Sequence, residues 1–312
     1  MTHEKITVAV CTHNRCDSLA RLLRSFCELR TPDNCEIEFL VVANKCTDNT
    51  AEVLSGFSSS IPITVCVEDE LGIAAARNAV IDNASGHWVV WTDDDLTVGK
   101  DWVIDYHSAM GRYDGSAFFG APIEPVFEGD TPDWIEAAVR HSPSAYAKLM
   151  VANTDKAFTL ADNDLPYGAN MAIRMAVLRQ FRFETALGRK GQGDLTGGEE
   201  VLLFRQLLAS GYHGWWLQKP VVTHWIDEGR QTIDYLKDYW YAVGLTENTL
   251  DEARNIERSS NRNWSKKLSV ARLRVQLAVA QLTGDPDKWL PVLCNLMLEK
   301  GRLANSLRRY RQ

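Results

Sequence analysis

Through the first 120 residues short apolar runs alternate with amphipathic segments, and no other feature narrows the possible folds of this chain as far. "KITVAVC" (5–11), "EFLVVAN" (38–44), "ITVCVE" (63–68) and "HWVVWT" (87–92) read as buried strands, since each is short, rich in β-branched residues and apolar on both faces. Between them, "DSLARLLRSFCEL" (17–29) carries Leu19, Leu22, Leu23, Phe26 and Leu29 at the spacing of one helix face, with Asp17 placed to cap it. The region of Asp48 to Thr50 opens a short helix, and "GIAAARNAVIDNAS" (72–85) is an Ala-rich helix closed by Gly86. Strand and helix in regular succession predict an α/β fold with a Rossmann-like, mainly parallel central sheet flanked by helices.

Past residue 120 the pattern loosens. "PIEPVFEGDTPDWIEAAV" reads as a strand, a Pro-broken loop and a short helix, and "PYGANMAIR" (166–174) resumes a strand. "LGRKGQGDLTGG" (187–198) is a Gly-rich, mobile loop, "EEVLLFRQLLASG" (199–211) a strong helix ending at Gly211, and "WWLQKPVVTHW" (215–225) a strand or two. From Gln231 onward only helical patterns occur, with breaks expected at Gly244, at Ser259 to Asn263 and at Gly284 to Pro286. The expected organisation is an α/β domain over 1–230, made of halves 1–120 and 121–230, followed by a helical C-terminal extension over 231–312.

With 45 % hydrophobic residues in 312, the chain has ample material for a core, and it has no apolar run long enough to span a bilayer. It enters a strand pattern directly, so a soluble, unexported, cytoplasmic protein is expected. The seven cysteines are scattered, as reduced packing thiols are; Cys11, His13 and Cys16 straddle a strand end and a helix start with no second ligand pair downstream, which argues against zinc. The formal charge is −7, yet Lys and Arg outnumber Asp and Glu beyond residue 230. The last helices carry apolar residues at helical spacing with Lys and Arg between them, a pattern that suits packing on the body, self-association or peripheral contact with the inner face of a membrane. The acidic body has no clustered basic face for nucleic acid.

The strand "HWVVWT" runs straight into Asp93, Asp94 and Asp95. Like charges so close repel, and desolvating even one is costly, so something cationic is expected beside them. In open α/β sheets ligands bind beyond the carboxyl ends of the strands, where these residues fall. Hard cations such as Mg²⁺ and Mn²⁺ take oxygen ligands, and alternate side chains on a loop share a side, which makes Asp93 and Asp95 the working pair and turns Asp94 away. A polar turn capping a helix near Lys100 is the plainer alternative.

"ITVAVCTHNRCDSLARLL", "LVVANKCTDNT", "GIAAARNAVIDNASGHWVVWTDDD", "YGANMAIR" and "GGEEVLLFRQLLASGY", followed by "VVTHW", resemble in order and spacing the family two inverting glycosyltransferases of GT-A fold. The resemblance covers residues 5–226. It implies that Thr12, His13, Asn14 and Arg15 wrap the nucleotide base, that Arg77 and Asn78 lie beside the nucleotide, and that Asp94 belongs to the same nucleotide-binding group. It further implies that Asp93 lies near the ribose or metal, that Asp95 binds a metal bridging the diphosphate, and that His224 is a further metal ligand. Gly168, Asn170 and Gly198 are then expected at the acceptor or donor sugar. Where the family often has Asp, this chain has Ala43, and Asn44 is expected to serve the base instead.

Inverting transfer is a single displacement in which a carboxylate takes the proton of the attacking hydroxyl. The resemblance gives that role to Glu200, where relatives have Asp, or to its neighbour Glu199. It implies a Mn or Mg cofactor, a nucleotide-diphosphate sugar donor of UDP type, and a glycan or lipid-linked acceptor in cell-surface or exopolysaccharide synthesis. A non-catalytic nucleotide-sugar or carbohydrate-binding protein on the same fold is the alternative. Trp134, Trp215 and Trp216 read as core residues before sugar platforms.

Overall fold

The computed structural model describes residues 4–191, 193–253 and 263–309. Strand β1 (Glu4–Thr12) is buried at every position from Ile6 onward, because a central parallel strand has both faces covered. Helices α1 (Cys16–Phe26), α2 (Thr50–Phe57) and α3 (Ile73–Asn83) connect β1, β2 (Cys35–Asn44), β3 (Ile63–Glu68) and β4 (Trp88–Asp93). These strands pair in parallel with β1 between β2 and β4, so Thr12 lies opposite Ala43 and Cys11 opposite Asp93. The chain builds outward to β3 on one side and then returns to place β4 on the other. That reversal opens a crevice at the carboxyl ends of β1 and β4.

The chain continues through β5 (Leu96–Val98), α4 (Trp102–Arg112), β6 (Phe118–Gly120) and β7 (Ile123–Phe127). Helix α5 (Ile135–His141), β8 (Lys156–Ala157), β9 (Asn170–Arg174), α6 (Met175–Leu178), α7 (Glu199–Ala209), β10 (Gly214–Trp216) and β11 (Val222–Ile226) follow. The main sheet has the order β3-β2-β1-β4-β9-β6-β10-β8, with β9 antiparallel to both β4 and β6, and a second sheet has the order β5-β11-β7. Trp216 is fully buried and Trp215 stacks on Tyr113 at 4.1 Å, as core residues do.

Two compact units emerge. One comprises 1–126, 149–192 and 199–225 and holds both sheets except Phe127 of β7 and Ile226 of β11; the other comprises 127–148, 193–198 and 226–312. In the second unit α5 shares an apolar core with α8 (Ile233–Ala253) and α10 (Pro286–Arg309) through Ile135, Ala138, Leu236 and Leu290. Helix α9 (Asn263–Gln281) packs Val270 and Leu273 against Leu296 of α10. Trp134 lies against the first of these cores.

Several local expectations change. Asp17 is inside the first turn of α1 and does not cap it; Arg15 holds the cap position, and the Cys16 N–H donates to Asp48 Oδ2 at 2.9 Å. Helix α3 ends at Asn83, and Gly86 instead lies where a Cβ would collide with Thr7. A short strand, β5, follows the aspartates before α4 begins at Trp102. Gly244 does not break α8: a side chain there would meet the backbone of Leu298 and Gly301, so the glycine lets α8 and α10 touch. The break at Gly284 to Pro286 separates α9 from α10, whereas Ser259 to Arg262 lie outside the described residues.

Asn170 is buried and its amide is wholly engaged. Its Nδ2 donates to Pro122 O at 2.9 Å and Pro220 O at 3.0 Å, and its Oδ1 accepts from Trp102 Nε1 at 3.0 Å and Tyr106 Oη at 2.9 Å. No hydrogen-bonding capacity is left for a sugar, so the expectation placed on Asn170 gives way to a joint between β9, α4 and two loops. Asn170→Ala is expected to lower the unfolding free energy by roughly 3 kcal/mol or more, because four buried partners lose their mate. Urea denaturation measures this, and a loss well under 1 kcal/mol would contradict it.

Candidate active site

Asp93 is the last residue of β4, and Asp94 and Asp95 form the turn into β5. The pairing of β5 with β11 sets His224 opposite Leu96, and the Trp225 N–H donates to Asp95 O at 3.0 Å. The turn thus carries the chain from the main sheet into the second sheet, where backbone bonds between β5 and β11 pin it. Asp94 is buried: Thr12 Oγ1 donates to its Oδ2 at 2.7 Å and Arg15 Nη1 to its Oδ1 at 3.1 Å. The same Nη1 lies 2.8 Å from Asp95 Oδ2. Arg15 therefore answers two of the three carboxylates, and its role is to hold the turn. His224 Nε2 is 3.3 Å from Asp95 Oδ2, and both groups are nearly buried.

Arg77 answers the third. The small residues of α3, Ala74, Ala75, Ala76 and Ala79, let that helix pack closely on the sheet, and Arg77 goes inside with them, 4 % exposed. Its Nη1 donates to Glu199 Oε1 at 2.5 Å; Asp93 Oδ1 is 3.8 Å from Nη2 and Glu200 Oε2 3.9 Å from Nη1. The guanidinium stands 5.5 Å from the centre of the Phe183 ring. Gly168 makes room for it, since a Cβ at that residue would occupy the place of Nη2. Gly168 thus seats Arg77, which a sugar-binding expectation did not foresee.

Helix α7 begins with Glu199 and Glu200, where the helix dipole favours negative charge. Glu199 Oε2 and Glu200 Oε2 are buried with no hydrogen-bond partner. Burial raises the Glu199 carboxyl, and the neighbouring Glu200 charge raises it further, against the pull of Arg77. Burial opposes the charge on Arg77, but Glu199, Glu200 and Asp93 outweigh it and hold the guanidinium protonated. Burial likewise pushes Asp94 up to about 6, against the opposing pull of Arg15, and raises Asp93 against that of Arg77. Five carboxylates are thus met by two arginines, Arg15 with Asp94 and Asp95 and Arg77 with Asp93, Glu199 and Glu200.

The loop residues behave differently from expectation. Asn14, in left-handed backbone, accepts the Thr47 N–H at 2.7 Å, and Asn44 is filled by Glu68 O at 3.1 Å, Glu70 O at 2.7 Å and the Gly72 N–H at 2.9 Å. Asn44 therefore orders the loop before α3, with both of its amide N–H groups committed there. Asn78 bonds both backbone groups of Phe183, at 2.9 and 3.0 Å. His13 Nδ1 lies 2.7 Å from Asn44 O; since a carbonyl only accepts, Nδ1 carries a proton. Gly198 has a left-handed backbone and belongs to the other compact unit. Arg189 was not anticipated: its carbonyl accepts the Ile73 N–H at 2.9 Å, and its charge acts on Asp93. A Gly-rich loop bearing Arg189 and Lys190 is the sequence signal that pointed there.

Among the described residues no three His, Cys, Asp or Glu gather as a metal cage. Asp95 Oδ2 and His224 Nε2, 3.3 Å apart, offer a carboxylate oxygen and an imidazole nitrogen of the kind a divalent cation such as Mn²⁺ would take, and Arg15 Nη1 meets the same Asp95 oxygen. Asp93 leans to Arg77 and does not complete that pair.

Residues 7–180 match the family model described as glycosyl transferase family 2. The chain belongs to this family. The family 2 chain is 24 % identical over 256 residues to the succinoglycan biosynthesis protein ExoM of Rhizobium meliloti, covering 78 % of this chain and 74 % of that protein. Among solved structures it resembles the mannosyltransferase PcManGT of Pyrobaculum calidifontis in complex with GDP-Man and Mn²⁺, with a TM-score of 0.63 at 16 % identity over 97 % of this chain and 88 % of the other. It also resembles S. aureus TarS 1–349 in complex with UDP-GlcNAc, with a TM-score of 0.55 at 16 % identity over 98 % and 92 %. Against the longer TarS chain it spans 42 % of the length. These likenesses establish the GT-A fold for the family 2 chain: a large, mostly parallel central sheet flanked by helices, with a helical C-terminal region.

Two outcomes follow for the site of this family 2 protein. Asp94→Ala leaves Thr12 and Arg15 without their buried partner, so a loss of roughly 2–4 kcal/mol in unfolding free energy is expected, where an outward-turned aspartate would lose almost nothing. Glu199 holds its proton more tightly folded than unfolded, so its contribution is greatest at acid pH and is lost as pH rises from the ordinary carboxylate range towards its raised native value of about 8. In metal-free buffer Glu199→Gln is therefore expected to lose less stability than the wild type between pH 5 and pH 8, by roughly 1 kcal/mol or more. Equal losses would contradict the raised carboxyl.

Proposed function

We propose that this chain is an inverting, metal-assisted hexosyltransferase that moves a sugar from a nucleotide-diphosphate donor to an acceptor hydroxyl. The carrying observation is the pair of unpartnered carboxylate oxygens on Glu199 and Glu200, buried beside Arg77 and close to Asp93 at the carboxyl end of β4. Buried acceptors without donors are costly and are retained where a ligand's own hydroxyl or cation supplies the missing bond.

Glu200 takes the proton of the attacking hydroxyl. Glu199 is committed to Arg77 through Oε1, and that commitment orients the first turn of α7 and so the neighbouring carboxylate. Asp95 and His224 would hold Mn²⁺ or Mg²⁺, with Asp93 on the ribose side, and Arg189 and Lys190 would bring further positive charge to the diphosphate. When bound, the cation neutralises charge developing on the leaving diphosphate. Because Asn44 O holds the Nδ1 proton of His13, Nε2 is the ring nitrogen left to meet an N–H on the base edge, which suits a UDP-type donor despite Ala43. The likeness to ExoM supports a polysaccharide-building role with a glycan or lipid-linked acceptor.

The competing reading, a protein that binds nucleotide-sugar without turning it over, separates from this one at Glu200. Glu200→Gln keeps size and polarity, so donor affinity measured by titration calorimetry should be nearly unchanged while turnover falls by ~10² to 10⁴, the range of general-base loss. Glu199→Gln should cost less in turnover. The reverse ranking would move the base by one residue, and unchanged transfer in both would remove the assignment.

A further inference from the structure

Helix α9 has two apolar faces. One, Val270, Leu273 and Leu277, packs on α10 with Leu296. The other bears Leu268, Val275 and Val279, continued by Leu282 just past the helix end, and these are 53 %, 66 %, 61 % and 87 % exposed. Their spacings of seven, four and three residues set them on a single stripe opposite the packed face. One exposed apolar residue is unremarkable, but four in line on one helix form a surface that water does not favour.

Charge identifies the occupant. From Asn263 to Gln281 the helix contains Lys266, Lys267, Arg272 and Arg274 and not one Asp or Glu. Lys266 is drawn inward to Ser306 Oγ at 2.6 Å, while Lys267, Arg272 and Arg274 are exposed. At 100° per residue Arg272 borders the stripe on one side and Lys267 and Arg274 on the other. Two copies pairing face to face through this stripe would set those cations against one another. An anionic phospholipid surface meets both demands: the stripe enters the boundary between headgroups and acyl chains, and the flanking Lys and Arg reach the phosphates. No helix among the described residues is long and apolar enough to cross a membrane, so α9 lies on the surface.

We propose that the outward face of α9, formed by Leu268, Val275, Val279 and Leu282 between Lys267, Arg272 and Arg274, docks the protein on an anionic phospholipid bilayer. This docking is independent of the catalytic assignment and is read without any turnover.

Flotation of the full chain with phosphatidylcholine vesicles, with and without phosphatidylglycerol, tests it. The wild type is expected to favour the anionic vesicles by about tenfold or more and to lose binding as salt is raised. Val275→Asp with Val279→Asp should reduce binding by about tenfold or more with an unchanged melting temperature, since both sites are exposed. Lys267→Glu with Arg274→Glu should reduce anionic binding by a similar factor with the apolar stripe intact. Equal binding to neutral and anionic vesicles, or variants that bind as the wild type does, would overturn the proposal. So would sedimentation velocity showing a wild-type dimer that Val275→Asp with Val279→Asp dissociates, which would assign the stripe to a second copy.

Discussion

Arg77 carries a full positive charge inside the protein, and the candidate site is arranged around it. Its bond to Glu199 joins α3 to the start of α7, its approach to Asp93 joins both to the end of β4, and Gly168 leaves the space in which the guanidinium lies. A buried charge without partners would cost several kcal/mol, so Arg77 could not occupy this place without the carboxylates, nor they without it. Arg15 does the same at the other end of the aspartate turn, where Asp94 is sealed against Thr12. The three aspartates are therefore divided between two arginines, one on each side, and this answers how like charges can end a buried strand.

The division leaves a residue of negative charge facing the crevice. Asp95 shares Arg15 with Asp94 and also meets His224, while Glu199 Oε2 and Glu200 Oε2 are buried without a hydrogen-bond partner. Stability alone would favour a neutral cluster here. Sites that hold charge in excess of what the fold needs are characteristically those that meet a ligand.

Much of this was legible before any coordinates. The four parallel strands, the helix ending before Gly211 and the delivery of Asp93 to a strand's carboxyl end followed from apolar runs and turn residues, because periodicity reports which faces are covered. The asparagines were the least legible residues: Asn44, Asn78 and Asn170 each direct amide groups to backbone carbonyls or N–H groups far along the chain, and sequence displays an amide without displaying the backbone that meets it. Gly244 misled for a related reason: its value lies in contact with Gly301, 57 residues on, and not in local bending. The pairing of Arg15 with Asp94 and Asp95 was hidden in the same way, since only the register of β1 on β4 brings residues some 80 apart together.

The central claim is that the carboxylates at the end of β4 and the start of α7, which outnumber the arginines that meet them, take a divalent cation together with a nucleotide diphosphate. Calorimetric titration of UDP, and of GDP, into the wild type and Asp95→Ala, each with Mn²⁺ and with EDTA, tests it most directly. The account predicts that one of the two nucleotides binds the wild type at least about tenfold more tightly with Mn²⁺, and that Asp95→Ala binds it equally weakly in both conditions. Tight binding of either nucleotide that ignores Mn²⁺, or an Asp95→Ala variant that keeps the full Mn²⁺ effect, would contradict it.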